Sequence, residues 1–197
     1  MTYWLFDIDG TLVDSTPAVE RAWRIWAAEN GVDGEAILQV SHGRRAKDTL
    51  ADFLPPERID AAYHRLLALE MADLNSVVAL PGAAELLASL PRERWAAVTS
   101  GGRELMSARL AAAGLPVPDV LVTAEDVEVG KPDPAGYLLA ARHLGADPAE
   151  CVVVEDAPAG LEAGARAGCR VIAVATSHSP EQLAGFEIIP DLTHLDP

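Results

Sequence analysis

Residues 3–11, Tyr3-Trp4-Leu5-Phe6-Asp7-Ile8-Asp9-Gly10-Thr11, run an apolar segment straight into a turn that carries two carboxylates. The apolar part has the make-up of a short strand, and Asp-Gly that of the turn ending it. Comparable runs recur at 95–98, 120–122, 152–154 and 171–174, with a weaker one at 187–189. Helical stretches with legible ends lie between them. One covers 102–113 and stops at Gly114, a residue suited to the left-handed position after a helix. Another covers 135–144, with Asp133 as its cap and Pro134 at its first position. A third runs over 159–167, before Gly168. Short strands that are apolar throughout and alternate with helices predict an α/β fold on a parallel sheet covered on both faces.

The stretch 14–80 breaks this rhythm, because its pattern is helical and no strand is expected in it. Thr16-Pro17 opens a helix through Glu29, with Trp23 and Trp26 on its apolar face and Gly31 at its end. A short helix follows Asp33-Gly34-Glu35, a third covers 45–53, and Pro55-Pro56 opens a fourth that runs to Asp73. An all-helical block of this size does not serve as a single crossover between strands. Residues 14–80 are therefore expected to form a small helical domain inserted after the first strand, with 1–13 and 81–197 making the core. Pro81-Gly82 returns the chain to strand–helix alternation.

Composition narrows the partners. The chain has 197 residues, 50% hydrophobic and 23% charged, the balance of a globular protein. Its formal charge is −15, from 30 acidic and 15 basic residues. Such a chain repels nucleic acid and anionic lipid at long range, so neither is expected as a partner. It also repels a phosphorylated metabolite, and a site for one needs local cations. The N-terminal apolar run meets Asp7 too early for a signal peptide, and no run approaches the roughly 18 residues of a membrane helix. Cys151 and Cys169 are too few for a disulfide framework and read as small buried thiols. A cytoplasmic setting is expected; the oligomeric state is not legible.

Four polar clusters fall at the carboxyl ends of the expected strands, where ligands bind in doubly wound sheets. They are Asp7-Ile8-Asp9-Gly10-Thr11, Thr99-Ser100-Gly101-Gly102, Gly130-Lys131-Pro132-Asp133-Pro134 and Glu155-Asp156. Asp7, Asp9, Glu155 and Asp156 gathered in one cleft repel one another unless a cation intervenes, and Mg²⁺ with oxygen ligands fits. Lys131 adds a positive charge, and the N–H groups at Ser100, Gly101 and Gly102 open a helix, a place that favours an anion. Together these make a phosphoryl-transfer site. Asp7 can attack phosphorus, while Asp9 protonates the leaving alkoxide and then deprotonates water. His42, Arg44, Arg45 and Lys47 bunch in an otherwise acidic chain, either as a cationic patch facing substrate or as a solvated helix start. Trp23 and Trp26 read as core residues, with a sugar-lining role as the alternative. The spacing of Gly160, Gly164 and Gly168 suits close helix–sheet packing. His64, His143, His178 and His194 show no ligand spacing and are assigned no role.

These motifs resemble the four signatures of the haloacid-dehalogenase superfamily, in order and almost along the whole chain. The first is Phe6 to Ser15; the others are Thr99-Ser100, Lys131 in Gly-Lys-Pro-Asp-Pro, and Glu155-Asp156 in Val-Val-Val-Glu-Asp-Ala-Pro-Ala-Gly. The resemblance implies a Rossmann-like core with a helical cap, Asp7 as nucleophile and Asp9 as acid/base. It further implies that Thr99, the Ser100 backbone and Lys131 hold the phosphoryl group. Asp156 is implied as a direct Mg²⁺ ligand beside Asp7 and the Asp9 carbonyl, with Glu155 acting through water. Residues 41–45, 95–101 and 155–169 are similar to the glycerol-3-phosphatase and 2-deoxyglucose-6-phosphatase group, which acts on small sugar and polyol phosphates. The related β-phosphoglucomutases carry a histidine before the Arg-Ala-Trp found here at Arg21-Ala22-Trp23, where this chain has Val19. A phosphomutase of the same superfamily and a non-catalytic phosphometabolite-binding protein are the alternative readings. Asp9 argues against dehalogenation.

Overall fold

A computed structural model describes residues 2–195. The strands are β1 (Tyr3–Phe6), β2 (Val13–Asp14), β3 (Val78–Ala79), β4 (Trp95–Val98), β5 (Leu121–Val122), β6 (Cys151–Glu155), β7 (Arg170–Val174) and β8 (Glu187–Ile189). Six of them form one parallel sheet in the order β5-β4-β1-β6-β7-β8. The chain steps from β1 to one side, then returns to β1's other edge with β6, so β1 marks the topological switch point. This is the parallel α/β sheet that the alternation predicted, in the Rossmann-like form that the resemblance implied.

The sheet is apolar on both faces because helices cover both. The α-helices are α1 (Thr16–Asn30), α2 (Gly34–Ser41), α3 (Ala46–Ala51), α4 (Pro56–Ala72), α5 (Ala83–Ser89), α6 (Arg103–Ala112), α7 (Ala135–Leu144) and α8 (Pro158–Arg166). Trp4, Phe6, Trp95, Ala97, Val152 and Val154 face α5 and α6, meeting Leu86, Leu87, Met106 and Leu110. Leu5, Ala96, Val98 and Val153 take the opposite face against Tyr137, Ala140 and Ala141 of α7 and Ala163 of α8. This alternation is the pleat of a strand expressed in packing.

Helices α1 to α4 close a separate core of Trp23, Trp26, Ile37, Leu50 and Leu66. Trp23 and Trp26 meet edge to face at 5.9 Å, and Trp26 is fully buried. Truncating a side chain of that size costs about 3–5 kcal/mol. No strand was expected between 14 and 80, but two very short ones bound the block. Val13 pairs with Ala79 and Asp14 with Val78 in antiparallel register, and the Leu80 N–H donates to the Leu12 carbonyl at 3.0 Å. Two residues are too few to show a strand period, so the pattern missed them. The helix expected over 45–53 is shorter, with Arg45 outside it as N-cap. Asp133 does cap α7, accepting from the Ala135 N–H at 2.9 Å, though Pro134 stands at the cap position. Among the described residues no helix is long and apolar enough to cross a membrane.

Candidate active site

Strand register builds the site. Phe6 pairs with Ala97 on one side and Val154 on the other, so Asp7, Val98 and Glu155 emerge together at the carboxyl edge of the sheet. The Asp7 N–H still bonds to the Val154 carbonyl at 3.0 Å, which fixes its backbone before its side chain turns inward. Lys131 arrives from the loop before α7 and donates to Asp7 Oδ1 at 2.5 Å, Glu155 Oε1 at 2.7 Å and the Val98 carbonyl at 3.1 Å. All three ammonium protons are thereby spent.

Glu155 is anchored at both oxygens. Oε1 also accepts from the Tyr137 hydroxyl at 3.3 Å, and Oε2 accepts from the Asp156 and Ala157 N–H groups, each at 2.9 Å. An ion touching Glu155 directly would displace these bonds, so it stands as the residue that holds Lys131. Gly160 makes this packing possible: a Cβ there would lie 1.7 Å from Glu155 Oε1. Gly164 similarly lets α8 lie on Val153, whereas Gly168 has open space and serves a left-handed turn rather than packing. Asp156 Oδ1 accepts from the Thr11 hydroxyl at 3.1 Å and Oδ2 from the Ser177 hydroxyl. Gly10, at φ +87°, lets the turn after β1 press against it, since a Cβ would come within 2.2 Å of Asp156 Oδ2.

The electrostatics are unbalanced. Asp7, Glu155 and Asp156 offer ligand oxygens within 4.8 Å of one another, all buried. Burial pushes the Asp7 carboxyl well above the usual carboxylate range; Lys131 opposes this, and Glu155 and Asp156 reinforce it. Burial, with Glu155 beside it, pushes Asp156 up to about 7. Burial alone would favour a neutral Lys131, but Asp7 and Glu155 outweigh it and hold the ammonium firmly charged. Fully ionised, three carboxylates against one lysine would leave two negative charges, the deficit that a divalent cation cancels. The residues fit a hard cation with oxygen ligands.

Asp9 lies to one side of this cluster. Its Oδ1 accepts from the Ser15 hydroxyl at 2.7 Å and its Oδ2 from Arg109 Nη1 at 2.6 Å. Thr99, at the end of β4, accepts the Gly101 N–H at 3.1 Å on its hydroxyl oxygen, leaving the hydroxyl proton to donate. The Gly101 N–H is therefore already paired, contrary to the expectation that it lies open to an anion. The Ser100 hydroxyl donates to the Gly43 carbonyl at 2.9 Å, tying the sheet edge to the helical block.

A cavity of about 440 Å³ lies between the block and the sheet edge; Asp7, Asp9, Thr99, Ser100 and Asp156 line it from below. His42, Arg44, Arg45, Lys47, Trp23, Tyr63 and Glu70 line it from the helical side. The expected cationic cluster thus borders the cavity, but its charges are mostly engaged. Arg44 pairs with Asp52 at 2.7 Å and Lys47 with Asp60 at 2.6 Å. Arg45 donates to the carbonyls of Val127 and Glu128, both at 2.8 Å, so its guanidinium clasps the loop that leads to Lys131. His42 packs edge-on against His178 at 6.5 Å.

Arg109, Glu70, Ser177 and Tyr137 were not anticipated, and Thr11 and Ser15 stood in the first motif without a role. Two left a signal. Arg109 interrupts the buried stripe Leu105, Met106, Leu110 of α6, and Glu70 continues the stripe Ala62, Leu66 of α4. A charge on an apolar stripe is a residue with a buried partner.

A family model described as haloacid dehalogenase-like hydrolase matches residues 4–168. The chain is 51% identical over 176 residues to hexitol phosphatase A of Escherichia coli, covering 87% of this chain and 82% of that protein. It is 38% identical over 185 residues to glycerol-1-phosphate phosphohydrolase 2 of Saccharomyces cerevisiae, covering 88% and 74%. The crystal structure of a hydrolase from Pseudomonas syringae superposes with a TM-score of 0.89 at 28% identity, covering 98% of this chain and 94% of that one. With the buried acidic cluster on the switch-point strand, these likenesses identify the chain as a member of the haloacid dehalogenase-like hydrolase family.

Proposed function

We propose that the protein is a Mg²⁺-dependent phosphatase that hydrolyses small sugar or polyol phosphate monoesters through an aspartyl-phosphate on Asp7. The observation that carries this reading is the cluster of Asp7, Lys131, Glu155 and Asp156 at the floor of a cavity of about 440 Å³. The phosphatases named above act on polyol phosphates, which suits a cavity of this size with many polar walls.

Asp7 and Asp156 would hold the ion, with the Asp9 carbonyl as a further ligand and Glu155 reaching it through water. When bound, Mg²⁺ supplies charge neutralisation at the phosphoryl oxygens. An Asp7 carboxylate oxygen attacks phosphorus; the P–O bond to the alkoxide breaks as Asp9 gives that oxygen a proton. Asp9 then takes a proton from water, the water oxygen attacks the same phosphorus, and inorganic phosphate leaves as Asp7 is restored. Lys131, held by Glu155, steadies the nucleophile and the transferring group. The Thr99 hydroxyl and the Ser100 backbone receive phosphoryl oxygens. Val19 lines the cavity and has no proton to relay, which supports transfer to water over re-transfer to a sugar. Residues 14–80 act as a cap that closes over the site, hinged where β2 pairs with β3. Two free thiols, Cys151 and Cys169, support a cytoplasmic setting.

The test is phosphate release from p-nitrophenyl phosphate, glycerol phosphates, hexitol phosphates and hexose phosphates, with Mg²⁺, with EDTA and after Asp7→Asn. Turnover that depends on both Mg²⁺ and Asp7 is expected, fastest on a polyol or sugar ester. Activity persisting in EDTA or in Asp7→Asn refutes the mechanism; isomerisation of a sugar phosphate without phosphate release refutes the phosphatase.

A further inference from the structure

We propose that Arg109 is a positioning residue that sets the Asp9 carboxylate for proton transfer, and that Glu70 of the helical block completes it when the block lies closed. The inference rests on the reading of Asp9 as acid/base given above. Arg109 belongs to α6 of the sheet domain and is 2% exposed. Its Nη1 donates to Asp9 Oδ2 at 2.6 Å and its Nη2 to Glu70 Oε1 at 3.1 Å. Glu70 belongs to α4 of the helical block. One rigid guanidinium fork therefore joins the proton-transferring carboxylate to the helical block. The other Asp9 oxygen is held by Ser15, which follows β2 at the neck of the block. One Asp9 oxygen is thus held at the neck of the block, and the other by an arginine of the sheet domain that the block itself anchors through Glu70.

Stability alone does not account for this arrangement. Arg109 Nε is buried with no acceptor among the described residues, and a buried charge is seldom more stabilising than a well-packed apolar side chain. Asp9, Glu70 and Arg109 line the same cavity, so the bridge stands at the wall where a substrate's leaving group would lie. With the block open, Glu70 withdraws, and the guanidinium loses the second anchor that fixes its plane. Asp9 then lacks a defined direction in which to deliver its proton to the leaving oxygen.

The leaving group supplies the test. An alkoxide needs the proton from Asp9; p-nitrophenolate leaves largely without it. Rapid-mixing measurements of the first step would compare a glycerol phosphate with p-nitrophenyl phosphate in wild type, Arg109→Met, Arg109→Lys and Glu70→Gln. Arg109→Met is expected to lower the alkyl-ester rate by about 10²-fold, and at least about tenfold more than the aryl-ester rate, with KM little changed. Arg109→Lys, a cation without the fork, is expected to lie between wild type and Arg109→Met. Glu70→Gln is expected to show the same alkyl-over-aryl bias more weakly, and it reports independently if Arg109→Met fails to fold. Equal losses on both esters in the folded variants overturn the proposal, as does a Glu70→Gln effect confined to KM. A wild type that releases phosphate from neither ester instead overturns the phosphatase reading.

Discussion

Glu155 Oε1 lies 2.7 Å from Lys131 Nζ, with the two side chains 1% and 7% exposed. The contact gives Lys131 a second counterion besides Asp7, so the ammonium is shared rather than captured by the nucleophile. Glu155→Gln removes that share and lets Lys131 close on Asp7 alone. The expected result is a fall in kcat of about 10–100-fold, the usual loss when a supporting partner of a metal site goes. Steady-state phosphate release measures it; an unchanged kcat would show that the pair is incidental.

The crowding of Asp7, Glu155 and Asp156 makes ion binding a stability effect. At a Mg²⁺ concentration 100 times its Kd the native state gains about 2.7 kcal/mol, roughly 5–10 °C in Tm for a chain of this length. Asp7→Asn relieves part of the repulsion, so its Tm in EDTA is expected to exceed that of the wild type, and its gain with Mg²⁺ to be smaller. Calorimetry with and without the ion decides. Equal gains in the two proteins contradict the assignment of Asp7 to the ion site.

Arg45 clasps Val127 and Glu128 rather than pointing a free charge at substrate. Arg45→Ala is expected to weaken closure by about 1.5 kcal/mol, raising KM about tenfold with little change in kcat. The rise should be equal across substrates, because closure is common to all. A KM change confined to one class of ester would instead make Arg45 a recognition residue.

Asp126 Oδ2 accepts from the Thr123 N–H at 2.8 Å, the Thr123 hydroxyl at 2.7 Å and Arg103 Nη2 at 2.7 Å. Burial opposes ionisation, but these bonds from Thr123 and Arg103 outweigh it and hold the carboxyl below its usual range. A depressed carboxyl contributes stability above its unfolded pKa of about 3.9 and loses it as pH falls through the folded value. Asp126→Ala is therefore expected to be less stable than wild type at neutral pH by about 1 kcal/mol, allowing for solvent screening. The difference should shrink as pH drops below about 4. Denaturant unfolding from pH 7 to pH 3 tests this; a constant difference contradicts it.

The sequence alone determined the parallel α/β sheet, the helical character of 14–80 and the four polar clusters at one edge. Each depends on local signals: strand runs such as 152–154, the turn Asp9-Gly10, the proline and glycine at helix ends. Asp7, Lys131 and Glu155 could be named because each ends a strand, follows one directly or sits in a tight turn, so short-range pattern located them. Tertiary structure alone decided what those groups touch. Arg109 stands 100 residues from Asp9 and 39 from Glu70, and periodicity reports that a position is buried, not which charge meets it there. Arg45 looked like a substrate contact because local charge does not reveal two carbonyls more than eighty residues away. Ser177 reaches Asp156 from the polar run Thr176-Ser177-His178-Ser179 after β7, which local pattern alone did not tie to the site. Hydrogen bonds join whatever the fold brings within about 3 Å, and that proximity belongs to the packed chain rather than to any stretch of it.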